Sequence, residues 1–185
     1  AALVAAGHTV RLLFRTPPEA RATPSIEIAT GDLLDPASLA AAVAGCDAVV
    51  HLGAATSAGR LDPAITYRVN VGGTTALIDA CRRAGCRRVV VMSTQHVHLP
   101  NPGPYGRTKR IADYLFSGSG LDVTILRPSL VYGPGTRGVF TKLVGLIRQL
   151  PVVPIIGPGN WHLRPVLLDD LIAAAKKQPR KYNIA

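Results

Sequence analysis

"TTALIDACRRAGCRRVVVMS", residues 74–93, holds the alternation that decides the fold. The first twelve residues read as a helix that leaves at Gly85, since glycine commonly follows the last helical turn. "RRVVVMS" (87–93) then reads as a strand whose unbroken apolar run marks burial on both faces. Upstream, "HTVRLLF" (8–14) and "SIEIA" (25–29) read as strands, and "DAVVHLGAA" (47–55) as a buried strand entering a Gly/Ala loop. Between them "DPASLAAAVAG" (35–45) predicts a helix with Asp35 as N-cap, Pro36 in the first turn and Gly45 at the exit. Downstream, "PYGRTKRIADYLF" (104–116) reads as a helix and "LDVTILRP" (121–128) as a strand, while "VFTKLVGLIRQL" (139–150) and "DDLIAAAKK" (169–177) read as helices. Such alternation predicts an α/β protein built on a doubly wound parallel sheet.

The 185 residues are 48% hydrophobic, enough for one domain with a real core. Lys plus Arg number 21 against 11 Asp plus Glu. A basic surface attracts anions, but the densest cluster, "CRRAGCRRVV" (81–90), has no interleaved aromatics and sits where a helix ends and a strand begins. No nucleic-acid partner is expected. Cys46, Cys81 and Cys86 match no metal-ligand spacing, so no metal is expected. Their odd number suits reduced thiols in a cytoplasmic protein. No apolar run approaches the roughly 18 residues of a membrane span, and "AALVAAGHTV" at the start is no secretory leader. Lacking an initiator methionine, it reads as a chain that starts mid-protein.

In a doubly wound sheet, ligands bind beyond the carboxyl ends of the strands. Arg15, Asp32, the "GAATS" loop, the pair Ser93 and Thr94, and Pro128 follow five successive strands. Tyr105 and Lys109 stand four residues apart on one face of a helix. A cation about 4 Å from a phenol contributes roughly 4 kcal/mol at an effective dielectric near 20, which would draw the phenol toward neutral pH, where acid–base catalysis is efficient. With a hydroxyl from Ser93 or Thr94 to hold a substrate oxygen, the set would be hydroxyl, phenol and ammonium. A surface Tyr/Lys pair is the plain alternative. The preceding "NPGP" turn, the strand ending in "MST" and the following "RPSLVYGPG" favour the functional reading.

Five stretches in order resemble the extended short-chain dehydrogenase/reductases, the NAD(P)-dependent epimerase/dehydratase group. They are "GDLLD" (31–35), "VVHLGAAT" (49–56), "NVGGTTALIDACRRAG" (70–85), "YGRTK" (105–109) and "LRPSLVYGPG" (126–135). The resemblance implies a Rossmann-like domain over residues 1–132 and a small substrate-side lobe over 133–185, continuous with it. It implies Tyr105 as catalytic acid/base, Lys109 lowering its pKa and bonding the nicotinamide ribose, and Thr94 as the catalytic hydroxyl when counted back from Val97, with Ser93 the alternative. Asp32 and Leu33 would flank the adenine. Leu52, Gly53 and Ala54 would line the dinucleotide, and Asn70 would sit behind the nicotinamide. Pro128 and Val131 would border the nicotinamide amide. The plain alternatives are Asp32 as a turn residue, Asn70 as a helix cap and Pro128 as a strand terminator.

An acidic residue after the second strand of such a fold would bind a ribose 2′-hydroxyl. "LLFRTPPE" (12–19) has Arg15 there, and a guanidinium suits a 2′-phosphate, so NADP is expected, with NAD possible. The family's glycine turn after the first strand is absent, and "AALVAAGHTV" resembles the back half of the helix that follows it. The first strand, central in the 3-2-1-4-5-6 order, is therefore expected to be missing, leaving buried edges unsatisfied or forcing the sheet to close up. "KYNIA" (181–185) resembles a late strand.

The substrate would be a sugar nucleotide or another hydroxy or carbonyl compound. Ser93, His96 and Arg164 are the candidate substrate contacts, although Arg164 in "NWHLRPVLLDDL" (160–171) is one place off the register usual in sugar-nucleotide enzymes. The short stretch between Thr94 and Tyr105 resembles atypical members that bind NADPH without turnover. A non-catalytic NADP(H)-binding subunit on the same fold is therefore the second reading.

Overall fold

The computed structural model describes residues 2–16, 19, 22–56, 62–136, 139–150 and 164–176. Helix α1 (Ala2–Ala5) leads into β1 (Val10–Phe14), which pairs in parallel with β2 (Ile26–Thr30). Helix α2 (Pro36–Val43) follows, begun as its sequence requires: the Asp35 carboxylate accepts from Ala37 N, and Pro36 occupies the first turn. Gly45 and Gly85, at the exits of α2 and of α4 (Gly73–Arg83), both take positive φ, the conformation that ends a helix at least cost to glycine.

A second parallel sheet has the order β3 (Ala48–His51), β4 (Arg88–Met92), β5 (Asp122–Leu126). Its middle strand shows why the apolar run is unbroken. Val89 and Val91 are fully buried in a core with Leu39, Leu77, Cys81, Ile125 and Phe116, the last from α5 (Gly103–Ser117). Val90, between them, points the other way and packs with Leu126, Val166 and Leu171. The latter two belong to β7 (Val166–Leu167) and α7 (Leu168–Lys176); β7 pairs in parallel with β6 (Val131–Tyr132). Helix α6 (Val139–Gln149) lies between β6 and β7 in the chain. The expected "KYNIA" strand lies outside the described residues.

One departure from the sequence reading matters for the site: α4 is entered through a short helix α3 (Pro63–Tyr67) and a π turn at Arg68–Gly72, which periodicity does not reveal. The sheet is divided, one of the two outcomes expected without the first strand. Among the described residues β1 pairs only with β2, and β3 only with β4. The sheet has not closed up: Val50 on β3 is 41% exposed, and Leu52 just beyond it 67%. Supplying an additional apolar strand and glycine turn ahead of α1 is expected to raise both the thermal midpoint and NADPH affinity. Calorimetry and NADPH titration of the 185-residue chain and of the extended chain provide the check; equal affinity in the two would contradict it.

Candidate active site

The Pro100–Pro104 segment turns the chain into α5, with Gly103 at positive φ. Tyr105 lies in the first turn, half-buried, with its ring edge-on to His96 at a centroid separation of 6.4 Å. His96 belongs to the single 3-10 turn Gln95–His98 that follows β4. Gly106 permits this contact: a Cβ there would stand 2.5 Å from Pro102 Cβ and 3.2 Å from the His96 carbonyl. One turn later Lys109 is 2% exposed, and its Nζ donates to the Met92 carbonyl, the last of β4, at 2.7 Å.

This arrangement corrects one expectation. Lys109 does not lower the Tyr105 pKa; burial, and then the Asp113 carboxylate, push it up. Burial lowers the Lys109 pKa, and Asp113 opposes that. The ammonium meets the end of the strand, while Asp113 makes an ion pair with Arg127 at 2.7 Å. Asp113 Oδ1 is buried without a partner. The sequence reading passed over this pair. Its signal was an acid four residues after Lys109 on the same helix and the arginine of "LRPSL".

The two candidate hydroxyls differ. Thr94 Oγ1 accepts from His96 N at 3.3 Å and caps the 3-10 turn. Ser93 Oγ is buried with no partner, and its backbone N donates to Leu126 O at 2.7 Å. The buried Pro128 carries a carbonyl that accepts from Gln95 N at 3.1 Å, so the ends of β4 and β5 are tied together. Val131 packs beside the second core cluster. Exposed Arg164 comes next to this end, its carbonyl accepting from Ser129 Oγ.

On the far side, Arg15 is exposed just past β1. Asp32 is the turn residue of its plain alternative: its Oδ1 accepts from Leu34 N at 2.8 Å. Leu33 is wedged between two glycines, for a Cβ on Gly53 would lie 3.0 Å from Leu33 Cδ1 and one on Gly73 2.9 Å from Leu33 Cβ. Here Gly53 serves side-chain packing, and Gly73, unnoticed in the sequence, does the same. Leu52 and Gly53 are exposed, and Ala54 is partly so. Asn70 is neither a helix cap nor open to the loop's outer side. It is 3% exposed in the π turn and bonded to the Ala55 peptide and to Thr108.

His51, at the end of β3, is buried against Phe116 with ring centroids 5.8 Å apart. Burial first, and then the Lys109 charge, lower its pKa to about 4.

The chain matches the NAD(P)H-binding family model over residues 1–144. It is 31% identical over 194 residues to 2-alkyl-3-oxoalkanoate reductase of Stenotrophomonas maltophilia, covering 93% of this chain and 58% of that protein. With dTDP-glucose 4,6-dehydratase of Streptomyces griseus it shares 32% identity over 195 residues, covering 89% and 58%. Among solved structures, MoeE5 in complex with UDP-glucose and NAD superposes with a TM-score of 0.77 at 30% identity, covering all of this chain and 70% of that one. The chain spans about half the length of the curated relatives it matches.

The His51 shift fixes a pH dependence. Its folded pKa of about 4 lies below the ordinary 6.5, so between those values the unfolded chain holds the proton more tightly. Stability from this group is complete above pH 6.5 and is lost as the pH falls toward 4, by about 3 kcal/mol. Denaturant titrations across that range are expected to show the loss, and His51→Gln to flatten it. An equally steep loss in the variant would assign it to other groups.

Proposed function

The chain belongs to the extended short-chain dehydrogenase/reductase family, the NAD(P)-dependent epimerase/dehydratase group, and on that premise we propose that its protein interconverts a carbonyl and a carbinol on a small molecule, with Tyr105 as the proton donor and acceptor. The observation that carries this reading is the position of Lys109. It is buried at the carboxyl end of β4, bonded to the last carbonyl of the strand, and one helical turn from Tyr105.

The residues present suit a nicotinamide dinucleotide. The exposed Leu52–Ala54 loop follows β3, Asp32 and Leu33 follow β2, and Arg15 follows β1, all at the carboxyl ends of parallel strands. When bound, such a cofactor supplies or accepts hydride at the substrate carbon. Arg15 would offer a guanidinium to a 2′-phosphate, which favours NADP over NAD. Pro128 and Val131 would border the nicotinamide.

Burial and Asp113 keep the phenol protonated, so Tyr105 carries the proton that the reducing direction needs. In the reducing direction Tyr105 Oη would give its proton to the substrate carbonyl oxygen as that carbon is reduced, leaving a carbinol and a phenolate. The ammonium of Lys109, one turn away, stays bonded to Met92 O, and solvent restores the proton to the phenolate. Thr94, or the unpartnered Ser93 Oγ, holds the substrate oxygen, and His96, edge-on to Tyr105, borders the substrate. Sugar nucleotides and oxoalkanoates are the classes that the relatives' names suggest, and Arg164 would meet an anionic group of the former.

A second reading, an NADP(H)-binding subunit without turnover, draws support from the bond of Lys109 to Met92 rather than to Tyr105. Tyr105→Phe in the protein at its natural length is expected to cut turnover by about 100-fold or more and to leave cofactor affinity nearly unchanged. A panel of ketones and sugar nucleotides, followed by nicotinamide absorbance, is the assay. Undiminished turnover in the variant would remove Tyr105 from its role. NADPH binding with no hydride exchange across the panel would favour the second reading. Thr94→Ala and Ser93→Ala assayed alongside identify the working hydroxyl by the larger loss.

A further inference from the structure

We propose that Asn70 and Thr108 are positioning residues that latch the Leu52–Thr56 loop to the helix bearing Tyr105. The inference deepens the reading of the site given above and rests on it. A single side-chain amide bonds to both the loop and the helix. Asn70 Oδ1 accepts from Ala55 N at 2.7 Å, and Asn70 Nδ2 donates both to Ala55 O and to Thr108 Oγ1 at 3.0 Å. The Thr108 hydroxyl donates in turn to the Tyr105 carbonyl at 2.9 Å.

The directions of these bonds are forced. Ala55 offers a donor and an acceptor, and only one orientation of the Asn70 amide satisfies both. That orientation presents Nδ2 to Thr108, whose hydroxyl proton is already committed to Tyr105 and which can therefore only accept. Asn70 is 3% exposed and Thr108 4%, so a bond lost here is not replaced by bulk water, and the orphaned group bears its full desolvation cost.

The backbone is arranged to place the amide there. Asn70 occupies the π turn Arg68–Gly72 between α3 and α4, and π turns inside helices recur where function needs a side chain displaced from regular spacing. Thr74 Oγ1 donates to the Asn70 carbonyl at 2.7 Å, which holds that turn in place.

The loop that would line the cofactor and the phenol that would protonate the substrate are thus set at a fixed separation. A misplacement of about 1 Å between reacting groups is enough to cost about 100-fold in rate.

The test uses the protein at its natural length and four variants. Thr108→Val keeps the side-chain shape and removes the hydroxyl. It is expected to lower kcat roughly tenfold and to raise the cofactor KM similarly, the scale of one buried hydrogen bond. Thr108→Ser, which restores the hydroxyl, is expected to stay within about twofold of the parent. Asn70→Ala with Thr108→Val is expected to be no worse than Asn70→Ala alone, since both cut one connection. Amide hydrogen exchange of Ala55, measured without substrate, is expected to quicken roughly tenfold in Thr108→Val although that residue does not touch Ala55.

Unchanged Ala55 exchange, additive losses in the double variant, or a Thr108→Val enzyme with normal kcat and only a lower Tm would each overturn the latch. Tyr105→Phe separates the two claims. If it is inactive while Thr108→Val is normal, the latch fails and the site stands. If it turns over like the parent, the reading of the site fails, and Ala55 exchange still decides the mechanical coupling.

Discussion

A buried ammonium must find oxygen partners, and the way Lys109 finds them organises the centre of this molecule. It is bonded to the final carbonyl of β4, and the Asp113 carboxylate, one turn along α5, supports its charge. Asp113 is itself tied to Arg127, just beyond β5. A cation, an anion and a second cation thus connect the helix to two neighbouring strands at their carboxyl ends. Breaking a buried arrangement of this kind by removing one partner is far more damaging than never having built it. Burial first, and then the same Asp113 carboxylate, raise the Tyr105 pKa.

Much of this was legible in the residues. The alternation of strand and helix, the Asp35–Pro36 helix start, the glycine exits and the placing of Tyr105 and Lys109 on α5 all follow from local chemistry. Local rules failed where two distant segments share a contact. Leu33 between Gly53 and Gly73 is one case, since neither glycine marks itself as a packing partner. Asp113 with Arg127 is another, fourteen positions apart in sequence. Asn70 is the instructive one: the resemblance sets it behind the nicotinamide, and in the structure its amide faces the Ala55 peptide and Thr108. The π turn behind that orientation adds a residue per turn, which a 3.6-residue period cannot register. The expected electrostatic lowering of the phenol pKa failed for a different reason. It counted one charge on the helix face and omitted burial and, after it, Asp113.

The relatives reduce oxoalkanoates or dehydrate a sugar nucleotide, by their names, while sharing about a third of their residues with this chain. The matched stretch covers about nine-tenths of this chain in both cases. Such a spread of named activities suits a fold on which chemistry is fixed by a rigid sheet and selectivity is set by segments added around it. Residues such as His96 and Arg164, at the ends of short irregular segments, are where relatives on this scaffold would be expected to diverge.

The divided sheet has one more consequence. The free sides of β1 and β3 each present a row of backbone N–H and C=O groups that no described strand meets. Parallel edges of this sort recruit extended polypeptide from other molecules, because main-chain pairing is indifferent to side-chain identity. A further extended segment pairing there would satisfy these groups and shield the edges.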